Sequence, residues 1–210
     1  TTIRLLLGLI KATDGCAEVF GKDVAGSRIE VLSEVGYLPS EASFYNGMRA
    51  GDIISLSASL RKKDCREEAR VLCERLELDI SKRVEELSLG NRKKVGIVCA
   101  MQHRPRLYIL DEATSGLDPL MQREFYSLIR ERNAEGATVF LSSHNLDEVQ
   151  RYCRSAAVIR EGRILVSDSV EKLAYTGVKR VTLKGTAQMP SLEGIKDIKT
   201  DGGNISFLYS

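Results

Sequence analysis

Short apolar runs alternate along this chain with longer stretches in which apolar and charged residues mix. The clearest runs are residues 35–38, 107–110 and 137–141, and each has the length and composition of a strand buried in a parallel sheet. Stretches with apolar residues at helical spacing follow the second and third runs, at 118–134 and 144–153. This order of strands and helices predicts an α/β fold with a mostly parallel sheet.

Capping residues mark both ends of the longer of these helices. Asp118 suits the N-cap because its carboxylate can accept hydrogen bonds from free backbone amides, and Pro119 suits the first helical position. Gly136 follows the last periodic residue and is typical of a helix C-terminus. We therefore expect a helix from Pro119 to about Ala134.

The remaining segments carry weaker patterns. Residues 1–10 have apolar residues at helical spacing with no capping residue before them, which predicts a helix whose start lies upstream. Residues 16–20 alternate like a short strand, and residues 156–166 predict a hairpin that turns at a Glu-Gly pair. The tail, 176–210, alternates weakly and predicts the start of a C-terminal extension with a small β element.

The character of the sequence changes between residues 44 and 104, where helical patterns replace strands. Residues 61–76 combine many charges with apolar residues at helical spacing, which predicts an amphipathic surface helix. We expect 44–104 to form a helical subdomain inserted into an α/β core made of 1–43 and 105–175.

The composition excludes some classes of protein but does not by itself indicate a function. Hydrophobic residues make up 43% and charged residues 29% of the chain, and the formal net charge of +2 gives no reason to expect a nucleic-acid partner. No apolar stretch approaches the roughly 18 residues that a membrane span needs. The basic run at 92–94 is accordingly interpreted as the solvated face of a helix.

The cysteines and histidines argue against a metal or disulfide scaffold. The five cysteines include no C-x-x-C pair, and only two histidines are present. We expect buried, reduced thiols, as in a cytosolic protein.

The strongest candidate chemistry lies at the end of the run at 107–110. Asp111 and Glu112 follow it directly, and ligands of open α/β sheets bind beyond the carboxyl ends of strands. One carboxylate can hold Mg²⁺ while the other orients an attacking water, as phosphoryl transfer requires. Taken alone, the pair is equally compatible with a strand-end turn that carries solvated acids.

Four motifs in a fixed order change this balance. The chain resembles the nucleotide-binding domains of ABC transporters over about residues 1–175, through GYLPSE at 36–41, LSLGN at 87–91, LYILDEATSGLDP at 107–119 and SSHNLDEV at 142–149, followed by REGRIL at 160–165. The resemblance implies a P-loop NTPase (RecA-like) fold with an inserted helical subdomain, and ATP and Mg²⁺ as cofactors.

The resemblance assigns roles to individual residues. It implies Asp111 as a metal ligand, Glu112 as the catalytic base, and His144 as a catalytic residue that also contacts the γ-phosphate; outside the motif, a histidine after a strand would more often be structural. LSLGN resembles the signature motif, most often LSGGQ, at the start of a helix near Asn91. Its nucleotide-binding residues would be Ser88, Leu89, Gly90 and Asn91, although a plain Ser-capped helix start is the alternative.

Further roles follow from the other motifs. The D-loop, which faces a partner subunit, would comprise Ser115, Gly116, Leu117 and Asp118. Ser40 occupies the position at which the family usually has a Gln that reaches the metal, so Ser40 is a candidate metal ligand.

One motif of the family is missing from the 210 residues. They contain no G-x-x-x-x-G-K-[ST] phosphate-binding loop, which the family places just before a helix like 1–10. We therefore expect the loop to lie upstream of Thr1, and these residues by themselves to bind ATP weakly or not at all. Thr1 and Thr2 would then contact phosphates from the helix start.

The resemblance implies an ATP-binding and ATP-hydrolysing subunit of an ABC transporter of the exporter type for drugs, antibiotics or lipids. Its partners would be a transmembrane subunit and a second nucleotide-binding subunit, as a homodimer or heterodimer, on the cytoplasmic face of the cell membrane, with no nucleic acid. Two alternatives remain: a soluble ABC-type ATPase of translation or DNA repair, and a fragment that is catalytically incompetent.

Overall fold

The computed structural model describes residues 1–174, 179–185, 195–201 and 204–209. They form two compact units, Thr1–His144 and Asn145–Ser210. The predicted extension at 176–210 lies partly outside the described residues.

The first unit is built on a three-stranded parallel sheet. The strands of this sheet are β3 (Val35–Leu38), β4 (Leu107–Asp111) and β5 (Thr138–Ser142). A short antiparallel hairpin of β1 (Glu18–Val19) and β2 (Lys22–Asp23) precedes them in the chain. β4 lies in the middle, parallel to both neighbours. The three apolar runs are therefore the predicted parallel strands, whereas the predicted strand at 16–20 shrinks to two residues.

Six helices of the first unit accompany this sheet: α1 (Thr2–Leu6), α2 (Arg28–Ser33), α3 (Ala50–Leu60), α4 (Arg66–Arg75), α5 (Leu89–Met101) and α6 (Pro119–Ala134). A 3₁₀ turn, Val84–Glu86, precedes α5. α6 has the predicted bounds, and Gly136 after it adopts a positive φ of 101°.

The first helix is shorter than the predicted 1–10. Gly8 adopts a φ of +61°, and its amide donates to the Leu5 carbonyl while the Leu9 amide donates to the Arg4 carbonyl, at 2.9 Å each. These two bonds form a Schellman cap, which closes a helix on a left-handed residue. Local turn chemistry at Gly8 thus overrides the apolar periodicity.

The predicted helix at 61–76 is also wrong in its bounds. Within this region only α4 is helical, and residues 61–65, where Lys62 has a φ of +54°, separate it from α3. The Asp64 carboxylate accepts from the backbone amide and the guanidinium of Arg66, which supports the start of α4. The segment between β3 and β4 is helical, and its status as a separate subdomain stays a prediction.

The core of the first unit joins α5 closely to the sheet. Ile97, Met101, Tyr108 and Leu110 are fully buried. A Cβ at Gly36, in β3, would lie 2.2 Å from the carbonyl oxygen of Ala100, so only glycine permits this approach of helix backbone to strand. The packing therefore places the start of α5 at a definite position relative to the strand ends.

The second unit begins with α7 (Leu146–Tyr152), capped by the Asn145 side chain. It continues with the hairpin β6 (Ser155–Arg160) and β7 (Arg163–Ser169), then α8 (Val170–Ala174) and an antiparallel sheet of β8 (Lys179–Leu183), β9 (Ile195–Asp201) and β10 (Asn204–Tyr209). The predicted hairpin is confirmed: Glu161 and Gly162 both adopt positive φ at its turn.

All five cysteines are free thiols. Cys65 is buried, whereas Cys16 is exposed, so the prediction of buried thiols is wrong for Cys16. Among the described residues, no helix is long and apolar enough to span a bilayer.

Candidate functional site

Two oxygen-bearing side chains meet at the carboxyl edge of the parallel sheet. Asp111 is the last residue of β4, and its register partner Ser142 is the last residue of β5. The Ser142 hydroxyl donates a hydrogen bond to the Asp111 carboxylate. Because ligands of open α/β sheets bind beyond this edge, the pair lies where a phosphate-bearing ligand would be held.

Glu112, the next residue, has an unusual backbone. Its φ is +46°, a left-handed conformation that costs a residue with a Cβ about 1–3 kcal/mol and that clusters at functional sites. Its amide donates to the Ser142 carbonyl at 3.1 Å, and its carbonyl accepts from the Ser115 amide at 3.2 Å. The strand therefore ends in a turn that sends the Asp111 and Glu112 side chains in different directions.

His144 completes the edge. Its Nδ1 lies 3.0 Å from the Glu112 carboxylate, although 32 residues separate the two in sequence. The His144 side chain is 81% exposed, so the pair is open to a ligand and to water. A hydrogen bond through Nδ1 fixes the orientation of the ring. The structure thus brings together the two residues predicted to be catalytic.

Lys93 is a site residue that the sequence analysis missed. It is 2% exposed and its neighbour Lys94 is 8% exposed, so the predicted solvated face at 92–94 is wrong for both. Lys93, Ile97 and Met101 lie four residues apart and share the buried face of α5. That spacing was the signal that could have revealed it.

The Lys93 ammonium binds three backbone carbonyls. Its Nζ donates to Pro39 at 3.0 Å, to Ser40 at 2.8 Å and to Glu112 at 3.1 Å. Burial lowers the pKa of Lys93 to about 8, and the nearby charges of Asp111 and Glu112 oppose this shift.

Ser40 therefore lies near the acidic edge through its backbone. It follows β3, the strand beside β4, and shares Lys93 with Glu112. Contact of the Ser40 hydroxyl with a metal stays a prediction.

The signature-like segment starts α5. Ser88 is the N-cap, and its hydroxyl accepts from the Asn91 amide at 3.3 Å, so the helix begins at Leu89 rather than near Asn91. Leu89 is 63% exposed. Gly90 lies against the D-loop: a Cβ there would be 2.8 Å from the Gly116 carbonyl oxygen.

The D-loop is a tight turn that leads into α6. Gly116 has a φ of +81°, and a Cβ on it would lie 3.1 Å from the Leu89 side chain. The Asp118 carboxylate accepts from the Leu120 and Met121 amides at 3.0 Å each, which confirms the predicted cap. These two bonds lower the pKa of Asp118, and the bond from the Met121 amide has the larger effect.

Thr1 and Thr2 are exposed at the start of α1. Ile3 and Leu7 pack in one cluster with Val35 and Ile109, which places α1 against β3 and β4. Contact of the two threonines with phosphates stays a prediction.

The donor set suits Mg²⁺ only in part. The described residues hold no cluster of three or more His, Cys, Asp or Glu side chains able to bind a metal. Mg²⁺ at phosphoryl-transfer sites takes one or two carboxylates and completes its shell with water and substrate phosphates. Asp111, with the Ser142 hydroxyl beside it, fits that limited role.

Paired acidic residues after a central parallel strand, with a histidine after the next strand, are features of a P-loop NTPase domain of the ABC class. The chain belongs to the ABC transporter family, whose model matches residues 1–115. The family's ATP-binding domain hydrolyses ATP.

Two curated relatives agree with this membership. The chain is 37% identical over 172 residues to the bacitracin transport ATP-binding protein BcrA of Bacillus licheniformis, covering 79% of this chain and 55% of that protein. It is 31% identical to an uncharacterized ABC transporter ATP-binding protein of Alkalihalophilus pseudofirmus, covering 95% of this chain and 76% of that protein. The chain thus spans about half the length of BcrA.

A solved structure shares the fold. The ATP-binding subunit of an ABC transporter superposes with a TM-score of 0.78 at 27% identity, covering 82% of this chain and 74% of that chain. The predicted α/β P-loop NTPase fold is confirmed.

Proposed function

We propose that this chain is the ATP-binding and ATP-hydrolysing subunit of an ABC transporter that powers export, of drug, antibiotic or lipid type, through a separate membrane subunit. The observation that carries the hydrolytic part is the 3.0 Å contact between Glu112 and His144, beside the strand end that bears Asp111. A strand-end turn of solvated acids would not require this pairing or the left-handed Glu112 backbone.

Each residue of the edge has a distinct role in hydrolysis. Glu112 accepts a proton from the attacking water and orients it, while His144 hydrogen-bonds that water and the γ-phosphate. Asp111 would hold Mg²⁺, and Ser40 is a candidate to assist it. Mg²⁺, when bound, neutralises charge on the phosphates.

The site is composite in this proposal. The start of α5 offers the positive end of the helix dipole at Ser88, Leu89, Gly90 and Asn91, which suits the γ-phosphate of an ATP held by a second subunit. The contact of Gly90 with Gly116 supports this arrangement, because it makes the signature segment and the D-loop one continuous surface. Thr1 and Thr2 would contact the phosphates of the subunit's own ATP.

The proposed partners are a transmembrane subunit and a second nucleotide-binding subunit, identical or related, on the cytoplasmic face of the membrane. The relative BcrA supports a transport role, since its name assigns it bacitracin transport. The sequences of motifs such as GYLPSE and ATSGLDP are similar to those of stand-alone exporter subunits, which supports the exporter type.

The substitution Glu112→Gln in the full-length protein tests the proposal. It removes the base but keeps size and polarity, so ATP binding should persist, hydrolysis should fall by roughly 10²–10⁴-fold, and a nucleotide-bound dimer should accumulate. Glu18→Gln, at an exposed position of β1, is the matched control and should leave the rate unchanged. A Glu112→Gln variant that hydrolyses ATP at the unmodified rate would disprove the assignment.

A further inference from the structure

The buried Lys93 ammonium connects three parts of the chain. The side chain comes from α5, five residues after the cap Ser88, and its three donor protons are matched by the carbonyls of Pro39, Ser40 and Glu112. The first two carbonyls follow β3 and the third follows β4. One side chain therefore fixes the distances among the signature helix, the segment after β3 and the turn after β4.

Burying a lysine at this position costs free energy that its hydrogen bonds must offset. Burying a charged group without partners costs several kcal/mol, and the two residues that share its helix face, Ile97 and Met101, are apolar and fully buried. Since its partners are backbone carbonyls rather than a carboxylate, Lys93 acts on the path of the main chain.

The main chain that Lys93 holds is the strained part of the site. The left-handed Glu112 is fixed at its amide by the Ser142 carbonyl and at its own carbonyl by Lys93. Strained conformations persist only where the surroundings enforce them. Without Lys93, the peptide after Glu112 would lose a charged hydrogen bond, and the direction of the Glu112 side chain would be less defined.

We propose that Lys93 is a positioning residue that couples the signature helix α5 and the segment 39–40 to the Glu112 carboxylate. The inference rests on the proposed function, because it takes Glu112 as the base. It links the end of α5 that faces the partner's nucleotide to the water-activating carboxylate of the same subunit. A shift of either α5 or 39–40 would thereby change the rate of hydrolysis.

The test is steady-state ATP hydrolysis by the transporter complex carrying Lys93→Met, which keeps length and apolar volume and removes the donors. We expect kcat to fall about 10- to 100-fold, the effect of misplacing a catalytic group by about 1 Å, while the KM for ATP stays within about twofold. Lys93→Gln retains two N–H donors on a shorter side chain and should recover part of kcat.

Gln102→Met is the matched control. Gln102 is the buried C-cap residue of the same helix and donates to the Ile54 carbonyl at 2.9 Å, away from the acidic edge. It should lower the melting temperature without lowering kcat.

The outcomes separate the inference from the proposed function. An unmodified kcat in Lys93→Met, an equal loss of kcat in Gln102→Met, or failure of both Lys93 variants to fold would each overturn the positioning role. If Lys93→Met alone fails to fold, a reduced kcat at unchanged KM in Lys93→Gln supports it, and an unmodified kcat overturns it. The Glu112→Gln variant, measured alongside, reports on the proposed function independently.

Discussion

Gly90 in the signature helix lies so close to Gly116 in the D-loop that a Cβ at position 90 would be 2.8 Å from the Gly116 carbonyl oxygen. Real Cβ atoms essentially never approach a heavy atom below 3.0 Å, so the start of α5 and the D-loop fit together only because residue 90 has no side chain. Two segments predicted separately from sequence thus form one surface.

Substituting Gly90 should therefore disturb both the start of α5 and the D-loop. In Gly90→Ala the D-loop backbone must move, because the clash involves a main-chain carbonyl, and we expect ATP hydrolysis by the full-length protein to fall at least 10-fold. Gly51→Ala in α3 is the control, since the nearest atom to its Cβ would be 3.3 Å away, and its rate should not change. Equal rates in both variants would show that the contact has no catalytic consequence.

Removing the His144 imidazole should separate activity from stability. In the proposed mechanism His144 hydrogen-bonds the attacking water and the γ-phosphate, so we expect His144→Ala to lower kcat by roughly 10²-fold or more. The side chain is 81% exposed, so the free energy of unfolding should change by no more than about 0.5 kcal/mol. Hydrolysis assays and urea unfolding measure the two quantities, and a rate within twofold of the unmodified protein would contradict the role.

The other histidine should make stability depend on pH. His103 is 4% exposed, and burial, assisted by the charge of Arg61, lowers its pKa from 6.5 to about 4. The unfolded chain therefore binds a proton below pH 6.5 that the folded chain does not. The stability contribution is complete above pH 6.5 and is lost as the pH falls towards 4, by about 2 kcal/mol at pH 5.

Urea unfolding between pH 7.5 and pH 5 measures this loss. His103→Gln should flatten the pH dependence by about 2 kcal/mol relative to the unmodified protein, because the titrating group is gone. Identical slopes in His103→Gln and the unmodified protein would rule out His103 as the source.

The approach of α5 to β3 should be sensitive to a single methyl group. A Cβ at Gly36 would lie 2.2 Å from the Ala100 carbonyl oxygen and 2.8 Å from the Pro105 ring. We expect Gly36→Ala to lower the free energy of unfolding by about 1–3 kcal/mol or more, measured by urea unfolding. Gly26→Ala, whose nearest contact would be the Asp23 carboxylate at 3.3 Å, should change it far less, and equal losses would contradict the packing argument.

The correct predictions depended on interactions between residues that are close in sequence. Asp118 caps α6 because an acidic side chain can reach amides two and three residues ahead, and Glu161 and Gly162 form a hairpin turn because of their own backbone conformations. The apolar run at 107–110 forms a buried strand because short, continuous apolar runs are typical of parallel strands that are covered on both faces. Local misjudgements had local causes too, as the cap at Gly8 shows.

The sequence by itself determined the strands, the capped helix α6, the two acidic residues at a strand end and, through four ordered motifs, the family. Tertiary structure decided the rest, because it depends on contacts between distant segments. The 3.0 Å approach of His144 to Glu112 arises from the parallel pairing of β4 and β5, and the burial of Lys93 arises from packing of α5 against β3. From the sequence alone, a charged residue is expected to be solvated. In the folded protein three carbonyls accept hydrogen bonds from the Lys93 ammonium, and these bonds offset the free-energy cost of burying its charge.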